Sequence, residues 1–378
     1  MGNRTNLREG DLVMVDEPSV LSVIDDGVAT LTLNRPKSIN ALDHPMVTAM
    51  DELLHGWAAD PQVSAVVLVG AGERGLCAGG DIVAIHRDAS ALSSSGAGDA
   101  EAAACPSALF WADEYRLNAD IARYPKPYVA IMDGIVMGGG VGVSAHANTR
   151  VVTDRTRLAM PEVGIGFVPD VGGTHLLARV PDNLGVYAGL TAGQLSGADA
   201  LELGLADHYV PAGDLDAFRR AIGETSLADA LAKYAQEPPE SKIAGQREWI
   251  AHAFAADSVA AIIDRCRAVG TEDAVKTADT VAAKSPLALA VTLRSLRQTE
   301  PTLADTLKRE FRVSMRSLLN PDMAEGIRAQ VIDKDRNPAW RHTDHTAVTV
   351  AEVDAFFAPL PAGLELTINP APQEDSSV

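Results

Sequence analysis

The chain has only three cysteines in 378 residues: Cys77, Cys105 and Cys266. Their spacing fits no metal motif, and any disulfide would leave one of them over. They read as reduced thiols of a cytoplasmic protein. Basic charge is also scarce: 32 Lys and Arg face 51 Asp and Glu, a net charge of −19. That balance makes nucleic acid and anionic membrane poor partners, although local donors can still hold a small anion. No run of about 18 apolar residues occurs, so no membrane span is expected. The first sixteen residues are polar, mixed in charge and without the apolar centre of a signal peptide. A GxxxxGK[ST] phosphate loop and a dinucleotide-type GxGxxG are both missing, and no repeat of fixed period is visible.

What is present is enough apolar material, 47% of residues, for one large core or two moderate ones. Val20–Ile24 and Val28–Leu33 are apolar runs joined by Asp25-Asp26-Gly27, a hairpin signal. Asp43 can cap a helix running through Met50 and Leu54. Buried strands are expected at Ala65–Val69, Tyr128–Met132 and Arg150–Thr153, and a helix at about 108–122. This alternation reads as α/β. The Ala/Ser/Gly-rich stretch 88–107 reads as a flexible surface loop. From about residue 250 the pattern turns helical. Ser285-Pro286 starts a helix, and Leu303, Leu307, Phe311, Met315 and Leu318 mark one buried helical face. The expected division is a catalytic unit at 18–250, a helical region at 251–360, and flexible ends at 1–17 and 362–378.

The most informative segment is Met160-Pro161-Glu162 through Asp170-Val171-Gly172-Gly173. Glu162 and Asp170 stand eight residues apart among apolar residues, Gly and Pro. Carboxylates so placed are poorly hydrated, and perturbed acids cluster where protons move. Three glycine-rich loops accompany them: Cys77-Ala78-Gly79-Gly80-Asp81, Gly138-Gly139-Gly140 and Val171-Gly172-Gly173. Each alone is a weak signal, but together they suggest backbone amides lining one cavity. Two such amides aimed at one oxygen form an oxyanion hole.

These loops, with Asn34-Arg35-Pro36, Asn40-Ala41-Leu42 and Met160-Pro161-Glu162, resemble the crotonase (enoyl-CoA hydratase/isomerase) superfamily. The resemblance implies an α/β fold of repeated ββα units with a helical C-terminal region. It also implies an acyl-CoA substrate held by the amides of Gly80 and Gly139. Hydratases of this family use two glutamates. One corresponds to Glu162, while the other position, by spacing, is Gly142, which cannot transfer a proton. Phe167-Val168-Pro169-Asp170, Glu114-Tyr115-Arg116-Leu117-Asn118, Glu325-Gly326-Ile327-Arg328-Ala329 and Pro338-Ala339-Trp340 resemble the 3-hydroxyisobutyryl-CoA hydrolase branch.

That branch implies thioester hydrolysis within valine breakdown. Glu162 would be base or nucleophile, and Asp170 would bind the acyl hydroxyl or orient water and Glu162. Glu114 would receive the 3-hydroxyl or position Asp170. CoA is part of the substrate, no separate cofactor or metal is implied, and family members commonly form trimers or hexamers. The rival readings are an enoyl-CoA hydratase or isomerase acting on another acyl-CoA, and a non-catalytic CoA-binding protein.

Simpler roles also fit the same residues. Glu162 could be a helix N-terminal charge or surface ion pair, Asp170 a helix cap, and Glu114 a solvated helix residue. Asp81 reads as a helix cap, and Cys77 is not placed as a nucleophile. His86, His146 and His175 read as structural or exposed, and Arg35 and Lys37 as CoA contacts or a solvated face.

Overall fold

The computed structural model of the protein describes residues 17–368. The expected leader up to residue 16 and the tail from 369 onward lie outside them. Among the described residues nine strands form two sheets: β1 (Val20–Asp25), β2 (Val28–Leu33), β3 (Ala65–Gly70), β4 (Tyr128–Met132), β5 (Ile135–Met137), β6 (Thr149–Val152), β7 (Arg157–Ala159), β8 (Leu195–Ser196) and β9 (His208–Tyr209). The larger sheet has the order β1-β2-β3-β4-β6-β9, and the smaller β5-β7-β8. Among these described strands the β1–β2 and β7–β8 pairs are antiparallel and the others parallel. The β1–β2 hairpin turns at Asp26 (φ 45°) and Gly27 (φ 77°), as an Asp-Gly pair allows.

Strand periodicity sorts the large sheet's side chains onto two faces. Ala65, Val67 and Val69 of β3 join Val129, Ile131, Phe218 and Ile222 in one apolar cluster. Val66 and Leu68 point the other way, into the principal core with Leu31, Met50, Trp111 and Tyr115. Both faces of β3 are therefore covered, which suits its unbroken Ala-Val-Val-Leu-Val run. The principal core continues through Phe254, Leu289, Phe311, Met315 and Ile327, so a single apolar interior spans both sides of residue 250.

Asp43 caps the His44–Ala59 helix, accepting from the Met46 amide at 3.0 Å, a contact worth ~1 kcal/mol. Ser285 and Pro286 open the Pro286–Arg297 helix, and the five apolar residues expected on one face lie on the Leu303–Leu318 helix.

Three expectations change. The segment 88–107 is largely helical: Ile82–Ser95 and Asp99–Ala103 are helices. Alanine is the best helix former, and Ser93 and Ser94 turn their hydroxyls back onto the carbonyls of Ala89 and Ser90. Gly96 (φ 68°) then ends the first helix in the left-handed conformation. The helical run begins well before 250, at Leu215, directly after the last strand. Finally, 362–368 packs rather than dangles: Leu366 and Ile368 are buried, Glu365 pairs with Arg312 at 2.9 Å, and Arg116 donates to the Thr367 carbonyl.

Candidate active site

Backbone pairing places the first two glycine loops side by side. The segment after β3 runs alongside β5, with the Met137 amide donating to the Cys77 carbonyl at 3.0 Å and the Cys77 amide donating to the Ile135 carbonyl at 3.1 Å. Leu42 receives the same loop from the other side, donating to Gly79 O and accepting from Asp81 N at 2.8 Å each. This lattice uses the amides around Gly80 but not its own. Gly139 opens the Gly139–Ser144 helix, where a first-turn amide has no helical acceptor. Neither the Gly80 nor the Gly139 amide donates to a protein acceptor among the described residues. A methyl group on Gly139 would lie 3.5 Å from the Gly80 nitrogen, so the two amides are neighbours.

The three sequence-selected carboxylates converge on these amides. Glu114, Glu162, Asp170, Gly80 and Gly139 line one cavity of about 110 Å³, completed by Phe110, Trp111, Phe167 and Met323. It is smaller than the ~300 Å³ usual for drug-sized ligands, and the Trp111 and Phe167 rings stack at 5.3 Å to form one wall. Wider clefts exist elsewhere, of about 420 and 460 Å³, but neither holds a buried acid. A side chain on Gly139 would collide with Glu114 Oε1, and one on Gly138 would stand 3.0 Å from Glu162 Oε1. Only glycine lets the backbone approach these carboxyls so closely.

Each acid is delivered by a local fold that the sequence explains. Glu114 sits on the Pro106–Ala122 helix, whose buried side carries Phe110, Trp111, Glu114, Tyr115 and Asn118. Glu162 begins a short 3₁₀ turn, Glu162–Ile165, that Gly166 closes at φ 71°. Asp170 lies just before the Gly173–Leu177 helix. Glu162 does stand in the first turn of its 3₁₀ helix, but the solvated-charge and capping roles do not hold. Glu114, Glu162 and Asp170 are each no more than 5% exposed, so none is a solvated charge. Asp170 does not cap the following helix, which has no side-chain cap. Its carboxylate instead accepts from the Tyr115 hydroxyl at 2.7 Å, and Ser314 Oγ lies 2.8 Å from that hydroxyl.

Burial, joined by charge repulsion (from Asp170 on Glu114 and Glu162, and from Glu310 on Asp170), disturbs all three acids. Burial first, and the Asp170 charge second, push Glu114 and Glu162 well above the ordinary glutamate range. Asp170 rises to about 7 through burial, opposed by its hydrogen bond from Tyr115. Glu162 Oε2 and Glu114 Oε1 are sealed from solvent with no hydrogen-bond partner among the described residues. Orphaned, poorly solvated oxygens beside free amides are suited to proton transfer or attack at a carbonyl.

The position of the second family acid is closed. A Cβ on Gly142 would meet Val171 Cβ at 2.6 Å and Asn118 Nδ2 at 2.9 Å. Asn118 and Val171 fill that space.

The third glycine loop is not part of the cavity wall. Gly172 and Thr174 turn their amides to Glu310 instead, at 2.7 and 3.0 Å. His146 is not free either; burial lowers its pKa to about 4, and Nε2 donates to the Val171 carbonyl at 2.8 Å. His175 meets Thr306 Oγ1, and His86 meets Ser90. Arg35 is drawn inward to the Ala41 carbonyl, Asp43 and Asp81, and Asp81 takes this guanidinium rather than capping its helix. Cys77 is fully buried and its thiol is pushed up to about 12 by burial, which rules out a nucleophile.

Tyr115, Ser314, Glu310 and Met323 were not singled out from the sequence. Tyr115 lay within a quoted motif. Glu310 stands beside Phe311 on the apolar helix, where hydrophobic spacing carries no signal for a buried acid.

A family model for enoyl-CoA hydratase/isomerase matches residues 28–357. The 3-hydroxyisobutyryl-CoA hydrolase, mitochondrial, of Xenopus tropicalis is 37% identical over 343 residues, covering 87% of this chain and 86% of its own. The human protein of the same name is 35% identical with the same coverage. Among solved structures, a carnitinyl-CoA dehydratase from Mycobacterium thermoresistibile is 54% identical with a TM-score of 0.87, covering 93% of this chain and 99% of its own. An enoyl-CoA hydratase from Rhodobacter sphaeroides 2.4.1 is 39% identical with a TM-score of 0.84, covering 93% of this chain and 100% of its own. The expected crotonase-like α/β architecture with a helical C-terminal region is thus shared along nearly the whole described chain. From the match across 28–357 and identities above 30% over most of its length, this protein belongs to the enoyl-CoA hydratase/isomerase family.

Proposed function

We propose that this protein hydrolyses the thioester of 3-hydroxyisobutyryl-CoA, or a close 3-hydroxyacyl-CoA, to the free hydroxy acid and CoA, a step of valine breakdown. The observation that carries this reading is the closed space at Gly142, beside a cavity that retains Glu162, Asp170 and two free amides. Hydration by two flanking glutamates has no second acid here, whereas acyl transfer needs one base or nucleophile and an oxyanion hole.

The Gly80 and Gly139 amides would receive the thioester oxygen and stabilise the tetrahedral oxyanion, each by about 3 kcal/mol. Ionised Glu162 removes a proton from water as it attacks the carbonyl carbon, or attacks directly to give a mixed anhydride that water then opens. In the base route the tetrahedral adduct collapses with cleavage of the C–S bond, and Glu162 returns its proton to the CoA thiolate. In the nucleophile route the C–S bond breaks as the anhydride forms, and the thiolate takes the proton released by the water that opens it. Burial favours the protonated form of Glu114, which would let it bind the acyl 3-hydroxyl without repelling the oxyanion beside it. Asp170, fixed by Tyr115, orients the water and Glu162.

The names of the solved relatives favour a second reading, hydration or dehydration of an acyl-CoA. That chemistry would have to recruit Asp170 or Glu114 as the second acid. Thiol release measured across 3-hydroxyisobutyryl-CoA, 3-hydroxypropionyl-CoA and crotonyl-CoA separates the readings. We expect release from the two hydroxyacyl thioesters. Loss of the crotonyl absorbance with no free thiol from any of them would overturn the hydrolase reading, and binding without turnover would favour a CoA-binding protein.

The assembly is proposed to be a trimer or hexamer of this chain. No described helix is long and apolar enough to cross a membrane. The proposed cytoplasmic location is supported by three free thiols, which suit a mitochondrial matrix, the compartment in the vertebrate relatives' names, equally well.

A further inference from the structure

The loop that carries Asp170 is strained. Val171 has φ 51° and Gly172 φ 78°. A left-handed conformation is uncommon for any side chain and a marked outlier for a β-branched one, and it persists only where surrounding contacts over-determine it. Those contacts come from outside the catalytic loops. Glu310, on the Leu303–Leu318 helix, is 2% exposed. Its two oxygens receive the Gly172 amide (2.7 Å), the Thr174 amide (3.0 Å) and the Thr174 hydroxyl. Arg309 is buried alongside, donating to Thr174 Oγ1 at 3.2 Å and to the Ser295 and Gln298 carbonyls. His146 holds the Val171 carbonyl. One helical turn beyond Glu310, Ser314 Oγ contacts the Tyr115 hydroxyl that donates to Asp170.

The same helix therefore grips Asp170 twice, through its backbone loop by Glu310 and through its carboxylate by Ser314 and Tyr115. A buried carboxylate is expensive to desolvate even when satisfied. The fold keeps one where an apolar residue would pack more cheaply, and its acceptor oxygens are spent on the Asp170 loop.

We infer that Glu310 is a positioning residue that sets the conformation of the 170–174 loop and through it the placement of the Asp170 carboxylate during thioester hydrolysis. This rests on the assignment of Asp170 to the reaction. In Glu310→Gln the amide NH₂ must face one of the donating N–H groups, so the loop loses an acceptor while side-chain volume is kept.

The test is a double-variant cycle on the full-length protein, following thiol release from 3-hydroxyisobutyryl-CoA. E310Q should lower kcat by about 10–100-fold, the scale of an ångström-sized misplacement, with KM within about three-fold of wild type. On a D170N background the same change should lower kcat by less than about two-fold, because the group it positions is already gone. Full multiplicative loss in that background, or wild-type kcat in E310Q while D170N is impaired, would overturn the inference and leave the site assignment standing. Wild-type activity in D170N would overturn both. If E310Q does not fold, T174V removes one donor to Glu310 and keeps its carboxylate. It should lower kcat several-fold in the wild-type background and not in D170N, and equal losses in the two would refute the role.

Discussion

Replacing Asp170 by Asn should cost activity and change stability in a way that depends on pH. In the folded protein burial raises the Asp170 carboxyl to about 7, against 3.8 for the free side chain. Between those values the native state holds a proton that the unfolded chain has released. Wild-type stability from this group is therefore fully present below 3.8 and is lost as pH rises through about 7. At about 1.4 kcal/mol per pH unit the full difference is ~4 kcal/mol. That is a ceiling, since Glu114 and Glu162 titrate together with Asp170.

Asn does not titrate. Its carbonyl can still accept from Tyr115, and exchanging the other buried carboxylate oxygen for an NH₂ costs ~1–3 kcal/mol. D170N should then be less stable than wild type near pH 4 and more stable, by about 1–3 kcal/mol, at pH 8. The unfolding entropy of about 2.1 cal/mol/K per residue, taken over the described residues 17–368, makes 1 kcal/mol about 1.4 °C. The Tm difference between variant and wild type should thus move upward by up to about 6 °C from pH 4 to pH 8. Thermal scans at both pH values read this directly, and thiol release should fall at least about 10²-fold. A Tm difference that does not change with pH would refute the claim that Asp170 is a buried acid with a raised pKa.

Other perturbations test neighbouring parts of the site. Tyr115→Phe removes the hydrogen bond that opposes Asp170's rise, so the acid limb of kcat/KM should move to higher pH by about one unit; a limb that stays or moves down contradicts this. Gly139→Ala drives a methyl into Glu114 Oε1 and to 3.2 Å from Leu42; kcat should fall at least about 10²-fold, with the circular dichroism spectrum unchanged. Gly142→Glu, which restores the hydratase acid in sequence, should yield no hydration of crotonyl-CoA. Its Cβ meets Val171 and Asn118, and overpacking should lower stability by at least about 1–3 kcal/mol in a denaturation curve.

Much of this site was readable in the chain because it is built from local grammar. Gly80, Gly139, Glu162 and Asp170 lie in short motifs whose backbone needs leave a mark in residue type. The β1–β2 turn and the Asp43 and Ser285 caps were legible for the same reason, since each acts within four residues of itself. What stayed hidden depends on contacts across long stretches of chain. Glu310 meets Gly172 across 138 positions, and Ser314 meets Tyr115 across 199. Nothing near either residue signals a polar partner in the core. The Ala/Ser/Gly-rich segment 88–107, whose first part belongs to the Ile82–Ser95 helix, misled for the opposite reason. Its composition suits a flexible linker, but Ile85 and Ala89 bury one face against the core and hold it helical. Likewise Leu366 and Ile368 are held by burial in the principal core, among residues distant in sequence.

The most direct test of the central claim follows one reaction by two signals. Purified protein is mixed with 3-hydroxyisobutyryl-CoA while free thiol and α,β-unsaturated thioester are recorded together, alongside the Glu162→Gln variant. Hydrolysis at this site predicts stoichiometric thiol release with no unsaturated thioester, and loss of that release by about 10³-fold or more when Glu162 is replaced. Accumulation of unsaturated thioester with the C–S bond intact, or undiminished thiol release by the variant, would contradict it.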